Sequence, residues 1–214
     1  MIKENLENIQ TTIPIGVTLV AVSKTKPNEA ILEAYQAGQR VFGENKVQDL
    51  ALKAETLPKD IEWHMIGHLQ TNKVKFIAPF VCLIHGVDSI KLLKEINKRA
   101  AQNDRVINCL LQIHIAQEET KFGFDKAEAL EVLELNNTLE NIHIVGLMGM
   151  ATNTKDELQI RKEFVSLKTL AINLTTKNCK LETISMGMSG DYKLAIEEGS
   201  TMVRVGSAIF GSRT

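Results

Sequence analysis

Residues 183–211 read TISMGMSGDYKLAIEEGSTMVRVGSAIFG. Thr183–Met188 is an apolar run of strand length, DYKLAIEEG reads as a helix, and Met202–Gly211 reads as a second strand. Two strands joined through a helix, with no hairpin signal between them, imply parallel pairing. Small residues gather there: Gly187, Ser189 and Gly190 around the end of the first strand, Gly206 and Ser207 within the second. Backbone N–H groups and serine hydroxyls at such turns can cradle a phosphate.

The same alternation runs back to the start of the chain. Thr18–Lys24, Arg40–Asn45, Ile61–Leu69, Val81–Ser89, Ile107–Ile115 and Ile142–Met150 are six more strands. Helix-like stretches follow them, among them NEAILEAYQAG, opened by Pro27 and Asn28 and capped by Gly38, and a long helix from about Lys155 to Leu174. Ile2 to about Gln10 is a lone amphipathic helix ahead of the first strand. Eight strand–helix units in an α/β chain are the count of a closed (β/α)₈ TIM-type barrel, with an open doubly wound sheet as the alternative. No Pro/Gly/Ser-rich linker divides residues 1–214, so one domain is expected. No helix is expected after the eighth strand, and the N-terminal helix is available to cover that gap or the barrel floor.

Composition narrows the function. Of 214 residues, 44% are hydrophobic and 24% charged, which is ordinary globular usage. Twenty-five Lys and Arg against 26 Asp and Glu leave a formal charge of −1, so no broad attraction to nucleic acid or an anionic membrane is expected. MIKENLENIQ lacks the apolar core of a signal peptide, and FIAPFVCLIHGV is too short to span a bilayer. Three well-separated cysteines, Cys82, Cys109 and Cys179, suit free thiols in a reducing cytoplasm.

In barrels the chemistry sits at the C-terminal strand ends. Lys24 closes the first strand. Desolvation lowers a lysine's pKa, and the neutral amine can attack a carbonyl to form a Schiff base; a snorkelling surface lysine is the equal alternative. Lys26, before Pro27, reads as solvated. Asn45 closes the second strand as pocket donor and acceptor, or as a helix N-cap. The loops after strands seven and eight, with Ser189, Gly206 and Ser207, are where a barrel binds phosphate. Arg204 lies within the eighth strand; an inward arginine in a barrel needs a buried partner, either a structural ion pair or a ligand contact. His64 and His68 could share a face of strand three, but no third metal ligand is at hand, and no metal is expected. His85, His114 and His143 read as core histidines, Lys121 as a solvated loop residue, and Met148, Met150, Met186 and Met188 as core fillers.

Seven motifs then fall in one order: AVSKTKP, FGEN-x-VQ, WH-x-IGHLQTNK, ETKFG, GLMGMA, SMGMS-x-D and VRVGS-x-IFG-x-R. Together they resemble the YggS/PROSC family of pyridoxal-phosphate homeostasis proteins over nearly the whole chain. That family resembles the N-terminal barrel of alanine racemase without its second domain. The resemblance implies pyridoxal 5′-phosphate (PLP) as cofactor, held through a Schiff base on Lys24. It implies phosphate contacts from Ser189, Gly206 and Ser207, Arg204 facing the pyridine nitrogen, and Asn45 in the pocket wall. An arginine gives up its proton reluctantly, so it keeps the ring nitrogen unprotonated and the ring a weak electron sink. The resemblance further implies a role in intracellular PLP (vitamin B6) and amino-acid balance without clear catalysis, with PLP-dependent apo-enzymes as recipients and a monomeric, cytoplasmic chain.

The alternative is a PLP-dependent amino-acid racemase. Two-base racemisation needs a second acid/base besides the lysine. The only tyrosines, Tyr35 and Tyr192, fall on predicted helices, and on this reading Lys24 stands alone. A Schiff-base aldolase or sugar-phosphate isomerase on a bare barrel is a third reading; it predicts no bound chromophore.

Overall fold

The computed structural model describes residues 1–118, 122–135, 138–176 and 179–211. Eight strands, β1 (Thr18–Val22), β2 (Val41–Glu44), β3 (Glu62–Met65), β4 (Leu83–Val87), β5 (Ile107–Gln112), β6 (Ile142–Met148), β7 (Thr183–Met188) and β8 (Met202–Val205), each pair in parallel with the next. β8 returns to β1 in register, Thr18 opposite Met202 and Val20 opposite Arg204, so the sheet closes and the open-sheet alternative falls. Most strands stop short of their apolar runs. The surplus residues turn out of the ladder and form the rim at the C-terminal end.

Side chains alternate across the sheet, which splits the apolar residues into two clusters. Val20, Leu83, Leu110, Met148 and Met202 form a small cluster inside the barrel. The larger core lies between the strands and the surrounding helices. Those helices are α1 (Ile2–Gln10), α2 (Asn28–Gln36), α3 (Val47–Thr56), α4 (Ile90–Ala101), α5 (Lys126–Leu135), α6 (Glu157–Leu174), α7 (Tyr192–Glu197) and α8 (Ser207–Phe210), with a 3₁₀ turn at Thr71–Phe76. Side chains close several N-termini. Ser89 accepts from Leu92 N–H, Asp156 from Leu158 and Gln159 N–H, and Asp125 and Glu128 accept from each other's backbone in a capping box.

Two expectations need correcting. The eighth strand ends at Val205, and Ser207–Phe210 winds into one helical turn where continued strand and no final helix were expected. The strand cannot continue, because Gly206 carbonyl accepts from both Ile209 and Phe210 N–H. Helix α1 lies against α8 and α2, its Asn5 amide donating to Ile209 O at 3.0 Å, so it fills the gap rather than the floor. His114 and His143 are exposed. His143 lies near the start of β6, on the face away from Ile142 and Ile144, where the barrel end opens to solvent, and His114 lies beyond the end of β5.

Barrel closure also depends on one close approach. Gly146 on β6 stands opposite Thr183 on β7, and a Cβ at residue 146 would lie 1.7 Å from Thr183 O. Gly38, past the end of α2, has φ +98° but open space around it. Gly38→Ala is therefore expected to cost about 1–2 kcal/mol of backbone strain. Gly146→Ala must push β6 and β7 away from each other and is expected to cost more than about 4 kcal/mol. Urea melts of the two variants measure both; similar losses would contradict the close-approach account.

Candidate functional site

A cavity of ≈ 590 Å³ opens at the C-terminal ends of the strands. Lys24, Asn45, Ser189, Arg204, Gly206 and Ser207 all line it, brought together from β1, β2, β7 and β8. Of the two readings of Asn45, the pocket one matches its place, since the residue capping α3 is Lys46. Lys26 is half-buried and also lines the cavity, against the expectation that it is solvated. Lys121 lies outside the described residues.

A buried ion pair holds the rim beside Lys24. Glu44, fully buried at the end of β2, accepts from Ser23 Oγ at 2.6 Å and from Lys53 Nζ at 2.8 Å. The same Lys53 ammonium donates to Ser23 O at 3.0 Å. Ser23 and Glu44 each precede a cavity residue, so this contact from α3 fixes the exits of β1 and β2 relative to each other. Thr25, just beyond Lys24, sits at φ +65°, unusual for a β-branched residue, in a turn where Lys26 N–H donates to Ser23 O. Strained backbone of this kind persists where the surroundings enforce it. Glu44 and Lys53 went unread in the sequence; a carboxylate closing an apolar strand was the available signal.

The opposite side of the mouth is built from two turns. Asp191 N–H donates to Met188 O, and Asp191 Oδ1 accepts from Met188 N–H at 2.6 Å. Gly187 takes φ +95°, and a Cβ there would lie 2.6 Å from Ala195 Cβ, so the glycine lets α7 close over the strand end. Ser189 Oγ accepts from Gly206 N–H at 3.1 Å, joining this turn to the start of α8. The first N–H groups of that helical turn, at Ser207 and Ala208, have no intrahelical acceptor.

Arg204 rises from β8 inside the barrel and is 4% exposed. Its Nη1 donates to Ser185 O and Ser185 Oγ, and its Nη2 to Gly149 O at 3.2 Å. Burial lowers its pKa to about 10, while nearby Asp191 acts to raise it, so the guanidinium is charged at neutral pH. Behind it, Ser185 Oγ meets His85 Nδ1 at 3.0 Å, and His85 Nε2 meets His64 Nδ1 at 3.1 Å. Burial holds the His64 imidazole down at about 4. Burial first, then the facing His64 and Arg204, push His85 well below the usual histidine range.

His68 does not share a strand face with His64. β3 ends at Met65, and His68 stands in the following loop on the cavity rim, its Nδ1 2.9 Å from Asp88 Oδ2 and its ring stacked on Phe122 at 4.6 Å. Asp88, Gln112 and Phe122 went unread as site residues; Asp88, just past the apolar run of β4, was legible as a polar strand-end residue. Met150 and Met188 line the cavity, while Met148 and Met186 are core. Among the described residues, no three His, Cys, Asp or Glu side chains come together as a metal site.

The profile of the alanine racemase N-terminal domain matches residues 1–214. The pyridoxal phosphate homeostasis protein of Vibrio alginolyticus is 42% identical, over 99% of this chain and 97% of the relative. That of Aquifex aeolicus is 42% identical over 91% of this chain and 86% of its own length. PipY of Synechococcus elongatus, solved with PLP bound, superposes with a TM-score of 0.91 at 36% identity over 99% of this chain and all of its own. Alanine racemase of Enterococcus faecalis shares the fold alone, at TM-score 0.78 and 14% identity over 58% of its length.

The two buried imidazoles make stability depend on pH. Both are neutral in the folded chain, while in the unfolded chain they take protons near 6.5. The unfolded state therefore binds more protons as pH falls below 6.5, and the folded state loses stability. For His64 the loss ends near 4, where the folded imidazole itself protonates. Urea melts between pH 6.5 and 5 are expected to approach a slope of about 1.4 kcal/mol per pH unit for each histidine. His64→Gln should remove one histidine's share; an unchanged slope would show that His64 is already protonated in the fold.

Proposed function

This chain belongs to the alanine racemase N-terminal-domain family and, within it, to the pyridoxal phosphate homeostasis proteins, and from that premise we propose that it holds PLP in the mouth cavity, covalently at Lys24, and carries it without turning over amino acids. The observation that supports this most is the donor set of one cavity. An amine (Lys24), a buried guanidinium (Arg204) and a hydroxyl-rich pair of turns (Ser189, Gly206, Ser207) face the same space. These fit, respectively, an aldehyde, a ring nitrogen and a phosphate.

When bound, PLP supplies an aldehyde that a primary amine can capture and a ring that withdraws electrons. Lys24 provides the amine, on a strand exit held by the Glu44–Lys53 pair. Ser207 hydroxyl and the N–H groups opening α8 would take the phosphate, with Ser189 bracing Gly206 behind them. Arg204 would keep its proton and donate to the ring nitrogen, which would limit how much charge the ring can accept. Asn45 lines the wall with one donor and one acceptor. PLP-dependent apo-enzymes are the recipients on this reading, and the chain acts as a monomer in the cytoplasm. Burial raises the pKa of all three cysteine thiols, which disfavours their thiolate forms.

The purified protein is expected to show a visible chromophore that borohydride fixes on the Lys24 peptide. Lys24→Ala should lose the fixed adduct and keep the fold. Peptide mapping that finds the cofactor mainly on Lys26 or Lys121 would overturn the assignment.

One observation favours a second reading, a PLP-dependent racemase. His68, paired with Asp88, lines the same cavity as Lys24, so Lys24 is not the one titratable group there. The tyrosines offer nothing similar: Tyr35 donates to Asp60 on the surface, and Tyr192 is buried against Thr12. On the carrier reading, α-proton exchange of L-amino acids into deuterated water stays at background for wild type and His68→Gln alike. Saturable exchange that Lys24→Ala and His68→Gln each abolish would establish the racemase instead.

A further inference from the structure

Arg204, Ser185, His85 and His64 form one hydrogen-bonded chain through the barrel interior, from the mouth cavity toward the floor. Its proton order follows from the donor inventory. A guanidinium has no acceptor, so Ser185 Oγ must accept from Arg204. Among the described residues the Ser185 hydroxyl meets no other acceptor, so its own proton goes to His85 Nδ1, 3.0 Å away. His85 then carries its proton on Nε2 and donates it to His64 Nδ1 at 3.1 Å. His64 in turn carries its proton on Nε2, and it lines a second, polar cavity of ≈ 400 Å³ at the floor, beside Glu62, Asn108 and Thr183. Every bond in the chain points away from the arginine.

This order leaves the Ser185 oxygen lone pairs turned toward the guanidinium. Ser185 takes both Nη1 protons, through its carbonyl and its hydroxyl, and Gly149 O takes one from Nη2. Among the described residues the other two of the five guanidinium N–H bonds meet no acceptor, and Arg204 lines the mouth cavity. We propose that His85 is a positioning residue for Arg204: by drawing the hydroxyl proton away from Arg204 it fixes the aim of the guanidinium at the ring nitrogen of PLP, with His64 setting the tautomer of His85. The inference rests on PLP as the ligand and identifies the residues that act behind the one touching it. Protonation of His85 would reverse its Nδ1 from acceptor to donor and turn two N–H groups on one hydroxyl oxygen, so the device requires a neutral imidazole.

Two measurements test it. Long-range ¹H–¹⁵N spectra of the ligand-free, ¹⁵N-histidine-labelled chain at pH 7.5 should show His64 and His85 as neutral Nε2–H tautomers. An Nδ1–H tautomer or an imidazolium at either would overturn the relay whether or not PLP binds. Affinities for PLP and for its 1-deaza analogue, in which C–H replaces the ring nitrogen, then read the aim of Arg204. His85→Leu is expected to weaken PLP by about tenfold, the scale of one hydrogen bond to a charged group, and to leave the analogue unchanged. His85→Asn, whose amide oxygen can replace Nδ1 as acceptor, should restore PLP binding. Equal loss of both ligands, or no rescue by Asn, would make His85 merely structural. If the wild-type chain binds neither ligand while the tautomers are as described, the PLP reading fails and the relay stands.

Discussion

A guanidinium buried inside a closed barrel has to direct its donors at fixed acceptors, because water is not available to replace them. Arg204 meets that requirement with Ser185 on β7 and the carbonyl of Gly149, just past β6. Three neighbouring strands are thereby tied to one charge. The arrangement reaches further, since Ser185 engages His85 on β4 and His85 engages His64 on β3. A polar chain through the barrel interior specifies which side chains face inward on four strands. The cost is two imidazoles that must stay neutral, and with it a fold less stable in acid.

The other half of the mouth is held from outside the barrel. Glu44, Lys53 and Ser23 sit in the layer between strands and helices, and a buried carboxylate that lost its ammonium would be strongly destabilising. Their contacts involve residues next to Lys24 and Asn45 rather than those residues themselves. The cavity therefore has a braced frame, with Lys24 beside a tight, strained turn. That combination would suit the proposed covalent holding of a small aldehyde at a fixed distance from the Ser189–Ser207 turns.

The barrel mouth also carries a His68–Asp88 pair stacked on Phe122. It sets the chemical alternatives apart, because carriage requires only capture and release at Lys24, whereas racemisation requires a proton at each face of the substrate. Alanine racemases share this barrel at low identity and extend well beyond it in length. Similarity of fold at that level transfers no activity.

The sequence by itself determined the number and order of the strands along the chain, their parallel direction and six of the residues that meet in the cavity, because these follow from local periodicity and from motifs at strand ends. Its readings failed where backbone hydrogen bonding and packing in three dimensions decide. Met202–Gly211 reads as one strand, and only the Gly206 carbonyl, accepting from Ile209 and Phe210 N–H in a new helical turn, shows where the strand stops. His114 and His143 lie in apolar runs, yet the position of each along the barrel axis leaves it in solvent. Glu44 and Lys53, nine residues apart, reveal their pairing only once β2 and α3 pack. The Ser185–His85–His64 chain joins residues separated by 100 and 21 positions, a proximity that closure of the barrel creates and no local pattern encodes.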